Sequence, residues 1–180
     1  GNGTMSAPAG GTQVGQAGNG YARISLTETN TFNAGAQTGT VTIGGAINTT
    51  NLYTASTDFQ FKIGQTIAAG TSSIGSSTTL NNIGGFVLGA TLNTHSLSIS
   101  GAFTSANSGL VQLSGSLTTT TSQTYIAPVE IRAATTLTTT SNTITFSSTV
   151  NSDATTRNLT FGAGSGNAVF TGAVGNSAAL

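Results

Sequence analysis

From residue 41 onward, apolar side chains recur at positions i, i+2 and i+6, with polar residues between them. The pattern fits Val41, Ile43 and Ile47; Phe61, Ile63 and Ile67; Phe86, Leu88 and Leu92; and Leu97, Ile99 and Phe103. It fits again at Val111, Leu113 and Leu117; at Ile144, Phe146 and Val150; and at Ala168, Phe170 and Val174. Every spacing is even. Alternation of period two places these side chains on one face of an extended chain, whereas a helix requires i+3 and i+4. They form the expected core.

The position between the second and third apolar residues, i+4, holds Gly45, Ala90, Gly101, Gly115, Ser148 and Gly172, with Gln65 as the exception. A strand that bends toward its own interior crowds the inward residue at the bend, so these six positions are expected bends. Partial copies beginning at Val129 and Leu159 keep the first two apolar residues and place Ala133 and Ala163 in the small slot.

Thr, Ser, Asn and Gly are poor helix formers, while Thr, Val, Ile and Phe suit a pleated surface, so the chain is expected to be all-β. Two architectures accommodate short strands at these intervals: a parallel β-helix with bent strands in each coil, or a β-sandwich of hairpins. The β-helix is preferred, because residues 41–180 contain no Asn-Gly or Asp-Gly turn pair. The uncharged outer residues Thr42, Ser98, Gln112, Thr145 and Thr160 can also stack on like residues one coil away. At ~20–25 residues and ~4.8 Å per coil, the chain would form about seven to nine coils. Residues 1–22 are Gly-rich and read as an arm or linker, leaving 23–180 as the β-helix. No amphipathic helix or charged strand near Leu180 offers a cap. The end coil is therefore expected to meet either flanking repeats of a longer chain or another subunit.

Composition narrows the function. Only 4% of residues are charged, four Lys/Arg balance four Asp/Glu, and the net charge is zero. Nucleic acid is therefore not an expected partner, nor is an anionic membrane surface. No stretch approaches the ~20 apolar residues of a membrane-spanning helix. The opening Gly1-Asn2-Gly3 suggests a mature or excised segment. Cysteine is absent, which excludes disulfides, thiolate metal sites and thiol nucleophiles, and is compatible with export.

Candidate chemistry is sparse. His95, the one histidine, would need a serine and Asp58 or Asp153 beside it to form a hydrolase triad, and it reads better as a turn residue. One His and four scattered carboxylates do not make a ligand set, so no metal or cofactor is expected. Glu130 and Arg132 flank Ile131 and read as an outward-facing ion pair, and GAGSG (162–166) as a turn. Exposed Tyr53 and Tyr125 are candidate sugar contacts. Thr-rich strands can order water, and TGT (38–40), TVT (40–42) and TIT (143–145) are present. Those motifs lie in distant copies, which weighs against an ice-binding face.

The run TTTTSQTYIAPVEIRAATTLTTTSNTITFSSTVNSDATTRNLTFGAGSGNAVFTGAVG (118–175) resembles the degenerate repeats of large bacterial haemagglutinin-like or autotransporter-like adhesins. The similar pieces are SQTY, a V-x-I strand, TTLTTT, TITFSSTVN, NLTFGAGSGN and VFTGAVG, in that order. The resemblance implies an exported right-handed parallel β-helix that serves as stalk, adhesin or matrix component, and it carries no catalytic residues. The expected function is thus a non-enzymatic structural or adhesive segment at a bacterial surface or in a biofilm matrix. Its expected partners are flanking repeats, copies of itself stacked end to end, and host or matrix glycans. The alternatives are a subunit that polymerises into an extracellular fibre and a glycan- or ice-binding β-solenoid.

Overall fold

A computed structural model of the protein describes the backbone of residues 4–6, 12–14, 24–32 and 39–180, with 55, 57, 66–69, 107–108 and 165 excepted. Side chains are described from residue 39 onward, with the same exceptions. β1 (Thr4–Ser6) and β2 (Thr12–Val14) pair antiparallel in a sheet of their own. β3 (Ile24–Phe32) begins the parallel stack by pairing with the strand Ile47–Thr54.

Six coils follow. The first is β4 (Gly39–Ile43) and β5 (Ile47–Thr54); the second is β6 (Phe59–Ile63), β7 (Gly70–Ile74) and β8 (Thr78–Leu80). The third is β9 (Phe86–Leu88), β10 (His95–Ile99) and β11 (Phe103–Ser105). The fourth is β12 (Val111–Thr119) and β13 (Gln123–Tyr125), and the fifth β14 (Val129–Thr139) and β15 (Ile144–Phe146). The sixth is β16 (Val150–Ser152), β17 (Leu159–Gly162) and β18 (Ala168–Phe170). In β5, β12 and β14 one strand runs around a corner and serves two faces.

All pairing between coils is parallel and defines three faces. The first aligns Val41, Phe61, Phe86, Val111, Val129 and Val150, from β4 through β16. The second aligns Leu97, Leu117, Leu137 and Phe161. The third aligns Phe103, Gln123, Ile144 and Ala168. The molecule is thus an all-β solenoid of about six turns, with no helix among the described residues. At ~4.8 Å per coil the stack of six rises about 29 Å. β3 adds a further layer on the second and third faces before the first of these coils, while β1 and β2 lie in their own sheet, outside the stack.

Alternation sets what lies inside. The expected core residues Ile43, Ile47, Phe61, Ile63, Phe86, Leu88, Leu97, Ile99, Phe103, Val111, Leu113, Leu117, Ile144, Phe146 and Val150 are all buried. Val41 is half-buried against them. Aromatic rings form a continuous ladder, Phe61–Phe86–Phe103–Tyr125–Phe146–Phe170, with centroids 4.9–6.3 Å apart, which crosses from the first face to the third within the third coil. Such ring pairs add about 0.5–1.5 kcal/mol each beyond the area they bury.

Three expected core positions are corrected. Leu92 is 91% exposed, because the chain leaves the coil in a turn closed by paired bonds between Ala90 and Asn93 (2.9 and 3.0 Å). Leu92 stands at the tip of that turn, and Ala90 opens it instead of bending a strand inward. Phe170 (36%) and Val174 (45%) are exposed because no further described coil covers them. Ile67 lies outside the described residues.

The i, i+2, i+6 pattern marks corners instead of coils. Val41–Ile47 turns from the first face to the second, Leu97–Phe103 from the second to the third, and Ile144–Val150 from the third to the next first. Gly45, Gly101, Ser148 and Gly172 sit at such corners. Smallness there is required by the neighbouring coil more than by the interior. A Cβ on Gly101 would lie 2.5 Å from the Ser77 nitrogen, and one on Gly172 would lie 2.4 Å from the Ser148 carbonyl.

The sixth coil has a partial cover that sequence did not suggest. Gly175 donates to the Val150 carbonyl (2.8 Å), Ser177 to Asn151 Oδ1 (3.2 Å), and Ser152 to the Ala178 carbonyl (3.3 Å). The Ser152 hydroxyl also donates to the Ala179 carbonyl, and Leu180 packs half-buried on the core. This segment lies over the first face, while β17 and β18 each pair along one side only.

Candidate functional site

His95 is the one imidazole, and the structure places it at the start of β10 with its ring inside the solenoid, 1% exposed. The expected turn residue is therefore an interior one, because β10 begins with inward-facing position 95 and alternates from there. Its Nε2 lies 2.7 Å from the Ser72 hydroxyl, which also accepts the Ile47 N–H at 3.0 Å. One side-chain pair thus links three successive coils. The ring fits because residue 64 has no side chain: a Cβ there would lie 2.2 Å from His95 Cγ.

The His95 Nδ1 has no hydrogen-bond partner. A triad places a carboxylate at that atom, and here none is bonded to it. Asp153 instead forms a fork with Arg157, at 2.9 Å (Nε to Oδ1) and 2.8 Å (Nη2 to Oδ2). Those hydrogen bonds from Arg157 hold the Asp153 carboxyl below its ordinary range. Ser72 and His95 are both closed off from solvent, so the geometry makes them a structural clasp.

Burial lowers the His95 pKa below its ordinary 6.5. The interior sides of the strands around it, β6, β7, β9 and β12, carry no titratable group; Lys62 of β6 alternates outward. The folded state therefore favours the neutral ring, and the unfolded chain takes up the proton first. Stability is full above pH 6.5 and falls as pH drops through 6.5 toward the lower folded value, by at most about 1.4 kcal/mol per pH unit. Asp153 titrates below this window. Urea midpoints measured at pH 7.5 and 5 are expected to differ in wild type, and the difference is expected to shrink in His95→Gln. Equal wild-type midpoints would contradict this account.

Other inward polar residues carried no apolar mark in the sequence. Gln123 is fully buried; its Nε2 donates to the carbonyls of Leu117 (3.0 Å) and Thr138 (2.9 Å), and its Oε1 accepts the Tyr125 hydroxyl at 2.9 Å. Tyr125 is accordingly no sugar platform: it is 0% exposed, stacks on Phe146, and burial raises its pKa. Tyr53, at 38%, remains on the surface. Thr49, Thr119 and Thr139 point inward and donate to corner carbonyls two or three residues on, at 2.6–2.9 Å. Side-chain bonds of this kind to turn carbonyls help to satisfy backbone groups at a corner.

On the outer surface Glu130 and Arg132 pair at 3.8 Å, and Gln112 one coil away donates to Glu130 Oε1 (2.8 Å). A half-exposed pair of this kind contributes roughly 0–1 kcal/mol. Among the described residues no three His, Cys, Asp or Glu side chains gather as a metal site. Thr40 and Thr42 belong to the first face and Thr145 to the third, so TVT and TIT do not share a surface.

Fold and surface together define the class: a β-solenoid, with polar columns outside and hydrophobic columns inside. No protein-family model, curated protein or solved structure matches the chain.

Proposed function

We propose that the chain is a structural or adhesive β-solenoid segment of a bacterial extracellular or cell-surface protein, a stalk, adhesin or biofilm-matrix component that acts without catalysis. The observation that carries this reading is the continuity of columns along the axis. The aromatic ladder spans the second to the sixth coil, and polar links join the outside, as Ser73 to Asn48 (2.8 Å), Ser116 to Ser96 (2.8 Å) and Gln112 to Glu130 (2.8 Å). Contacts carried from coil to coil in this way resist bending and unravelling, because opening one coil exposes the faces of its neighbours. Such a rod provides reach, and its outer surface provides many weak polar contacts for matrix or host glycans.

The exposed turn at Leu92 gives a test. An epitope inserted there, in the full-length parent protein, is expected to be labelled by antibody on intact producing cells. Labelling only after lysis would sink the surface reading.

A second reading, a subunit that stacks end to end into a fibre, is favoured by the sixth coil. Val169, Phe170 and Val174 are 36–45% exposed there beside the open edges of β17 and β18. Sedimentation discriminates the two: a concentration-independent monomer contradicts the fibre, and a ladder of oligomers supports it.

A further inference from the structure

The outer surface of the second face is a grid of hydroxyl groups. With Leu97, Leu117 and Leu137 inward, the flanking Ser96 and Ser98, Ser116 and Thr118, and Thr136 and Thr138 point outward in three successive rows. The pairing aligns Ser96 with Ser116 and Thr136, and Ser98 with Thr118 and Thr138. Thr71 and Ser73 extend both columns one coil toward the N-terminus, and Thr160 extends one of them to the sixth coil. Rows lie about 4.8 Å apart, and columns, two residues apart on a strand, about 6.6 Å apart.

Three properties of this surface select its partner. Its outward positions carry no charged side chain, so a phosphate or carboxylate finds no ion to pair with. They carry no aromatic ring, so a sugar finds no apolar platform. The groups are also held in place: they stand on a hydrogen-bonded sheet, and Ser116 donates to Ser96 at 2.8 Å, which leaves little freedom to lose on binding. What such a surface complements is a rigid, uncharged lattice of hydrogen-bonding groups that repeats in two directions. Crystalline water is such a lattice.

We infer that the second face binds ice, through a layer of water ordered on the hydroxyl grid. Each hydroxyl contributes one weak water-mediated contact, and adhesion comes from engaging many at once. The other faces lack the second dimension. The third aligns a single column of Thr79, Thr104, Thr124 and Thr145, and the first mixes Lys62, Val87, Gln112 and Glu130. This inference stands apart from the rod reading, which survives if it fails.

The test is ice-affinity partitioning of the purified chain into slowly grown ice, with recrystallisation inhibition as second readout. Wild type is expected to enter the ice, and Thr118→Tyr, at the centre of the grid, to lower the partitioned fraction roughly tenfold. Thr42→Tyr, outward on the first face, is expected to partition like wild type. Circular dichroism of both variants establishes that they fold. Exclusion of wild type from ice, as for an inert reference protein, would overturn the inference, as would equal partitioning of Thr118→Tyr and wild type. Equal loss in the folded Thr42→Tyr would overturn it too. Binding to cellulose or chitin that Thr118→Tyr abolishes, with no ice partitioning, would overturn it in favour of a polysaccharide surface.

Discussion

Ile99→Asp is expected to cost about 4 kcal/mol or more and to remove most of the cooperative unfolding transition. Ile99 is 1% exposed and sits in register between Ile74 and Thr119, in the middle of the stack. An aspartate there would bury a carboxylate that neither neighbouring coil can pair, and would delete an apolar side chain packed on both sides. A domain of this size has about 5–15 kcal/mol in total, so the loss consumes a large share of it. Ser98→Asp supplies the control, because Ser98 is the exposed neighbour on the same strand and its substitution should stay within about 0.5 kcal/mol. Urea denaturation of the two variants tests parity alone: a shift below about 1 kcal/mol for Ile99→Asp would mean that β10 has its inward and outward faces reversed.

Parity was the part of this fold that the sequence made legible. Period-two alternation depends only on adjacent residues, and Val111, Leu113 and Leu117, or Ile144, Phe146 and Val150, declare it without reference to any other coil. Which face each copy serves was not legible, because VTIGGAI, LSISGAF and ITFSSTV share one rhythm yet turn three different corners. Leu92 was misplaced for a related reason. It keeps the spacing of a core residue, but the bonds between Ala90 and Asn93 close a turn that spacing alone does not reveal.

Inward polar residues escaped for another reason. Gln123, Thr119 and Thr139 carry no hydrophobic mark, and their partners are corner carbonyls that exist only once the coil is closed. The hydroxyl grid was hidden by unequal coil lengths. A step of 20 residues joins Ser98 to Thr118 and Thr118 to Thr138, but Ser73 precedes Ser98 by 25 and Thr160 follows Thr136 by 24, so no single period runs through the whole grid. The motifs that stood out, TVT and TIT, fall on different faces, while the rows that do align are a mixture of Ser and Thr. Regularity in space was produced from irregularity in sequence by insertions confined to corners.

The sharpest such corner makes the second large prediction: Gly115→Ala is expected to cost about 3 kcal/mol, although it adds one methyl group. The fourth coil passes from the first face to the second with one residue, Ser114, between Leu113 and Gly115; the fifth uses three between Ile131 and Thr135. The tight passage forces Gly115 to φ +120°, where a Cβ-bearing residue is strained. A Cβ there would also lie 2.3 Å from the carbonyl oxygen of His95 and 2.6 Å from its nitrogen, backbone atoms of the coil beneath. Neither atom can yield without separating two coils and loosening the strand that carries the Ser72–His95 clasp. Ser148→Ala at another corner is the comparison. Ser148 already carries a Cβ and lies outside the positive-φ region, so its replacement should shift stability by no more than about 0.5 kcal/mol. Urea midpoints measure both, and amide exchange at residues 95–99 locates the damage. Equal, small effects at the two sites would mean that the fourth coil turns less tightly than Gly115 implies, whereas a large loss at Gly115 alone assigns the demand for glycine to the backbone of the coil beneath.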